Sequence, residues 1–96
     1  MRQNTIHKKI HKQLPLLRKK YHVKKIGIFG SFARGEQKNG SDLDILVEFK
    51  TPVGFFQFIR LENFLSQTLG KKVDLVSKKA VKPSVRKKIF KEVDYV

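Results

Sequence analysis

Two short stretches of this sequence carry side chains whose types and spacing suit phosphate chemistry. The first is Gly30-Ser31-Phe32-Ala33-Arg34-Gly35-Glu36, at the end of an apolar run, and the second is Ser41-Asp42-Leu43-Asp44-Ile45-Leu46-Val47. A glycine lets the backbone approach a phosphate closely. A helix that starts there offers unpaired N–H groups and the positive end of its dipole. The Ser31 hydroxyl can donate to a phosphate oxygen, and Arg34, one turn later, could neutralise developing negative charge.

The second stretch supplies the opposite charge. On a strand, residues two apart project from the same face with Cα atoms roughly 6.5–7 Å apart. Asp42 and Asp44 can therefore converge on a divalent cation such as Mg²⁺. Without one they repel each other and resist ionisation. Asp74, in Lys72-Val73-Asp74-Leu75-Val76, occupies the equivalent face of a third strand. If that strand lies beside the Asp42–Asp44 strand, three carboxylates meet. Such a cluster can hold two ions, a device for in-line attack on phosphorus with a pyrophosphate leaving group. The pattern points to metal-dependent chemistry on a nucleoside triphosphate.

These residues need elements to hold them. Residues 5–20 read as an amphipathic helix, with Ile6, Ile10, Leu14 and Leu17 at helical spacing and Pro15 as a point where it could kink or split. Residues 23–29 read as a strand, with Ile26 and Ile28 on one face and Gly27 and Phe29 on the other. A helical turn at 31–34 ends at Gly35, and a polar loop over 36–41 carries an Asn39-Gly40 turn signal. The second strand, 43–49, puts Leu43, Ile45, Val47 and Phe49 on one face and Asp44, Leu46 and Glu48 on the other, where Asp42 also points. Thr51-Pro52 is expected to start a helix that Gly70 ends. The third strand covers 72–76. Pro83-Ser84 begins a last helix, and 93–96 forms a short edge strand or the helix tail. This order predicts an α/β (α+β) fold, a small mixed sheet of three to four strands with helices covering one face and the acidic face open.

Size and composition bound the rest. The chain has 96 residues and is expected to form one domain, 1–96, with an N-terminal helix in 1–22 and a core over 23–96. No apolar run is long enough to span a bilayer, and the N-terminal segment lacks the apolar region of a signal peptide. There are no cysteines, which excludes disulfides and Cys-based zinc sites and fits a cytosolic protein. Twenty-two Lys and Arg against eight Asp and Glu give a net charge of +14. Such a field attracts nucleotides, nucleic acid or an acidic partner, although most of these lysines read as a solvated surface.

Taken together, Gly30-Ser31, the ten-residue spacing and Asp42-x-Asp44 resemble the signature of the DNA polymerase β-like nucleotidyltransferase superfamily. The longer string, with Ser41-Asp42-Leu43-Asp44-Ile45-Leu46-Val47-Glu48-Phe49 and Lys72-Val73-Asp74-Leu75-Val76, is similar to the minimal nucleotidyltransferases, the MNT or MntA-type antitoxins. The tail Pro83…Ile89…Glu92…Tyr95 also looks like theirs, so the resemblance spans residues 23–96. It implies a minimal polymerase β palm, with Asp42, Asp44 and Asp74 as catalytic metal ligands for Mg²⁺ and Gly30 and Ser31 binding the triphosphate. It further implies transfer of AMP from ATP to a partner protein, a HEPN-type toxin with which this chain would be paired. Two readings stand beside it: a binding-only antitoxin without turnover, and a basic nucleic-acid-binding regulator.

The remaining candidates are weaker. Glu48 shares the Asp44 face but reads as surface. His7 and His11, four apart on the first helix, have no third ligand nearby and read as solvated. Phe55, Phe56 and Phe58 cannot all point inward from one helix, so one is expected to be left facing a partner. Larger members of the superfamily carry a helical domain that grips base and acceptor. Here the acceptor and part of the nucleotide site are expected to come from another subunit or a partner.

Overall fold

The computed structural model describes residues 3–96; the first two residues of the expected N-terminal segment lie outside them. Helix α1 runs Gln3–Lys20 and buries Ile6, Ile10, Leu14 and Leu17, one face of its 3.6-residue period. Arg18, Lys19 and Lys20 lie in its last turn, where the helix dipole favours cations. Pro15 does not split it. The ring is exposed, the carbonyl it deprives belongs to exposed His11, and buried Leu14 and Leu17 hold the helix on both sides.

Strand β1 (Val23–Phe29) leads through the four-residue helix α2 (Ser31–Arg34) to β2 (Leu43–Phe49). Helix α3 (Phe55–Leu69) returns the chain to β3 (Val73–Ser77), and a 3₁₀ turn at Lys78–Ala80 precedes α4 (Pro83–Glu92) and the short β4 (Asp94–Tyr95). The sheet order is β3-β2-β1-β4. β1 lies antiparallel to β2 and to β4, while β2 and β3 run parallel, joined by the α3 crossover. The sheet is thus mixed and four-stranded, and the tail forms an edge strand.

α3 starts later than Pro52 suggested. Its first helical residue is Phe55, with Gly54 at the N-cap position, and residues 51–54 form an irregular approach. Pro52 thus lies ahead of the helix and not in its first turn.

The main core sits between the sheet and the α1/α3 layer. Ile26, Ile28, Leu43, Ile45 and Val47 meet Ile6, Ile10, Leu17, Leu61, Leu65 and Leu69 there. The opposite face is not fully open. Phe29, Leu46 and Val81 form a second, smaller cluster, covered in part by Val76, Ile89, Phe90 and Val93. Leu46 therefore lies buried on the face that carries the acids. Gly27 makes this possible: a Cβ there would lie 2.7 Å from Val93 Cγ2 and 2.9 Å from the Asp94 carbonyl oxygen.

Candidate active site

The site forms where β1 ends and β2 and β3 begin. Gly30 follows β1 with φ 75° and ψ −152°, a backbone conformation that glycine adopts most readily. A Cβ at Gly30 would overlap the Asp44 carboxylate. The phosphate-type turn and the acidic strand are therefore in direct contact, and this contact needs a residue without a side chain. Gly30 O accepts from the N–H of Ala33 and Arg34 at 3.1 and 3.2 Å, winding α2, and Glu36 N donates to Ser31 O at 2.8 Å. Gly35, with φ 71°, closes the turn. Ser31 stands at the start of α2, partly exposed.

The three aspartates lie at this end of the sheet. Asp44 is in register with Phe29 of β1 on one side and with Asp74 of β3 on the other. The parallel pairing of β2 and β3 puts the two carboxyls side by side, as strand parity required. Asp42, just before β2, and Asp74 are both exposed, whereas Asp44 is partly buried. Burial pushes the Asp44 carboxyl up to about 6; the charges of Asp74 and Asp42 and a hydrogen bond with Asp74 add to this, and Arg34 offsets a little of it. A half-buried carboxyl that resists ionisation, with two further carboxylates beside it, is an oxygen donor set suited to a hard cation such as Mg²⁺. As the side chains stand, no group of three or more His, Cys, Asp or Glu among the described residues is arranged to hold a metal ion.

Basic groups surround these acids. Lys72 Nζ lies 3.9 Å from Asp42 Oδ2, and Lys71 Nζ sits 5.2 Å from the centre of the Phe32 ring. Both precede β3; Lys72 reaches the acids through Asp42, while Lys71 packs on Phe32 of α2. In the sequence they were two members of a charge-rich surface; only the β2–β3 pairing shows their place.

Arg34 is already engaged. Its Nε donates to Glu36 Oε2 at 2.9 Å, and Nη1 donates to Glu92 Oε2 and Oε1 at 3.0 and 3.2 Å. Glu92 Oε1 also accepts the Gly30 N–H at 3.0 Å. That N–H is thus paired with protein, leaving Ser31 as the side-chain donor of the turn. The sequence showed Glu92 only as part of a tail pattern. A lone acid ending a basic helix, Arg86-Lys87-Lys88-Ile89-Phe90-Lys91-Glu92, was the available signal.

The weaker candidates lie elsewhere. Glu48 Oε1 accepts from Lys78 Nζ at 3.1 Å, and Oε2 lies 3.5 Å from Lys24 Nζ. The Lys78 hydrogen bond holds the carboxyl below its ordinary range against the opposing effect of burial, and the charges of Lys78 and Lys24 add to the lowering. His7 Nε2 is 3.3 Å from the Tyr95 carbonyl oxygen, and His11 is exposed.

Comparison with known proteins agrees with this geometry. Residues 10–96 match the model of the nucleotidyltransferase domain family. The chain is 46% identical over 80 residues to the protein adenylyltransferase MntA of Thermococcus cleftensis, covering 83% of this chain and 81% of that protein. A solved structure of a minimal nucleotidyltransferase superposes with a TM-score of 0.84 at 32% identity, covering 98% of this chain and 95% of the other. A Shewanella oneidensis complex of a tri-AMPylated HEPN toxin with an MNT antitoxin shares the fold, with a TM-score of 0.72 at 22% identity over 97% of this chain and 70% of that one. The fold, the Gly30 turn beside the acids, and the matched sequence agree: this chain belongs to the nucleotidyltransferase domain family.

Proposed function

We propose that this chain transfers AMP from ATP to a hydroxyl of a HEPN-type partner protein and acts as the antitoxin of that pair. The observation that carries the reading is the contact between the Gly30 turn and Asp44, with Asp74 in register beside it. The adenylyltransferase name of the Thermococcus relative and the AMPylated toxin of the Shewanella complex support the choice of nucleotide and acceptor.

Asp42, Asp44 and Asp74 would hold Mg²⁺, which when bound neutralises phosphate charge and eases deprotonation of the acceptor hydroxyl. The chain's own groups do the rest. Ser31 Oγ donates to a phosphate oxygen at the start of α2. Lys72 beside Asp42, and Arg34 where its charge reaches Asp44, give the approaching triphosphate positive neighbours. In the transfer, the acceptor hydroxyl loses its proton and its oxygen bonds to the α-phosphorus. The bond from the α-phosphorus to the α–β bridging oxygen breaks, and pyrophosphate leaves.

The test uses ATP labelled at the α-phosphate, Mg²⁺ and the protein encoded next to this chain in its genome. Label is expected on that protein. Asp44→Asn is expected to cut transfer about 10²–10³-fold, the scale of losing one preorganised electrostatic group. Absence of label with the unsubstituted chain, or equal labelling by the variant, would overturn the reading.

A further inference from the structure

We propose that the acceptor protein docks at the end of the sheet remote from the acids, in the cavity at the start of α3, through an apolar patch edged with carboxylates. This rests on the protein-modifying reading above and names the surface that reading requires.

Phe55 and Phe56 are 72% and 76% exposed, and their rings pack edge to face with centroids 5.7 Å apart. They serve no core. α3 anchors itself through Leu61, Leu65 and Leu69, all in its later turns. Phe55 borders a cavity of about 510 Å³ lined by Phe49, Pro52, Val53, Phe58 and Leu75. A recess with apolar walls and aromatic rings at its mouth accepts inserted side chains.

Charge selects the occupant. Lys78 and Lys79 line the cavity, and exposed Lys50 lies between the lining residues Phe49 and Thr51 in the chain. The one acid in the lining, Glu48, is engaged by Lys78 and Lys24. A second copy would bring its own Lys50, Lys78 and Lys79 against these, in a chain of net charge +14. Like charges facing each other disfavour that pairing. A recess suits inserted side chains better than the flat stacking of bases. An acidic-rimmed protein surface meets both conditions.

The placement separates holding from chemistry. Phe49 lies five residues along β2 from Asp44, roughly 16 Å at strand rise. A partner seated here contributes the same binding before and during transfer, so its loss raises KM for the acceptor and spares kcat.

The experiment titrates the neighbouring-gene protein in the labelling assay and, in parallel, measures its binding without nucleotide by calorimetry. Phe55→Ser/Phe56→Ser removes only exposed rings, and its fold is checked by thermal unfolding. For that variant, KM for the partner and the nucleotide-free Kd are expected to rise about ten-fold or more, with kcat within about two-fold and KM for ATP unchanged. Lys79→Glu is expected to raise both constants several-fold, with a weaker salt dependence. Unchanged partner Kd in the double variant overturns the proposal, as does absence of any binding by the unsubstituted chain. Loss of self-association in sedimentation, or loss of single-stranded RNA binding, with unchanged partner Kd, assigns the surface to those occupants instead. Binding without labelling by the unsubstituted chain refutes the transfer reading while the calorimetry still decides the docking site.

Discussion

The two faces of the sheet are built differently. On one, helices and strands interlock, and Ile6, Ile10, Leu17, Ile28, Leu43, Ile45, Leu61, Leu65 and Leu69 are fully shielded from water. On the other, α4 covers only part of the sheet and buries none of its own residues completely. Stability resides in the first face. The second is left short of cover, and that is what lets Asp44 stay half in water while touching Gly30. Full cover would drive the carboxyl neutral, and no cover would leave the Gly30 turn without Glu92.

The largest contrast comes from deleting side chains on each face. Leu65→Ala is expected to cost about 2–5 kcal/mol, the range for emptying a packed leucine site. Ile89→Ala, on the partly exposed α4, is expected to cost less, about 1–2 kcal/mol, since part of its side chain stays in water and the space it leaves opens toward solvent. Urea unfolding measures both. Equal costs would mean that α4 belongs to the core, contrary to the division drawn above.

Gly27→Ala probes the seam between the faces. The added methyl meets Val93 Cγ2, the Asp94 carbonyl and, at 3.1 Å, Tyr95 Cα. Overpacking of this kind costs about 1–3 kcal/mol. Because Val93 directly follows Glu92, labelling activity is expected to fall along with stability. A variant as stable and active as the parent would show that β4 and the end of α4 move aside freely.

How much of this was readable in the residues follows from the range of each rule. Strand parity is local, so Asp44 and Asp74 were placed on one face correctly, and Ile26/Ile28 were separated from Phe29. Helical spacing found α1 and α4. Pro52 misled because proline suits both a first helical turn and the irregular segment ahead of Gly54. Leu46 was assigned its face but not its cover, since nothing local says that α4 folds back over it. Glu92 meets Gly30 and Arg34 across 62 and 58 residues. No periodicity reports a contact at that range, and Gly27 looks like any strand glycine until Val93 is seen against it.

Glu92 tests whether α4 contributes more than cover. Its carboxylate joins the Gly30 N–H to the Arg34 guanidinium, so Glu92→Ala frees the amide and leaves Arg34 held by Glu36 alone. The part-buried hydrogen bond from the Gly30 amide to this carboxylate contributes about 1.5–3 kcal/mol, the range for a bond to a charged group. The expected result is faster hydrogen exchange at the Gly30 amide and a KM for ATP raised about ten-fold. Glu92→Gln keeps an acceptor for the amide and is expected to recover most of the exchange protection. Rapid global unfolding in both variants would reduce Glu92 to a packing role.

The smallest effect is the pH dependence of stability, and it isolates the cost of the crowded acids. Asp44 has a folded-state pKa of about 6 against an ordinary 3.8. The folded form therefore binds its proton more tightly than the unfolded chain does. The resulting stabilisation is fully present below pH ~4 and is lost as pH rises through about 6. With Asp44 half in water, screening reduces the amplitude to about 1 kcal/mol. Other carboxylates titrate in the same window, Glu48 with the opposite sign because Lys78 and Lys24 hold it ionised. The informative quantity is thus the difference between the parent chain and Asp44→Asn. Without divalent cation, the variant is expected to be the more stable by about 1 kcal/mol at pH 7.5, and the gap is expected to close toward pH 4. Adding Mg²⁺ at pH 7.5 is expected to stabilise the parent and leave the variant nearly unchanged, because a ligand stabilises only the fold that binds it. A difference that does not vary with pH would mean that Asp44 ionises freely beside Asp74, and that this end of the sheet stores no charge strain for a cation to relieve.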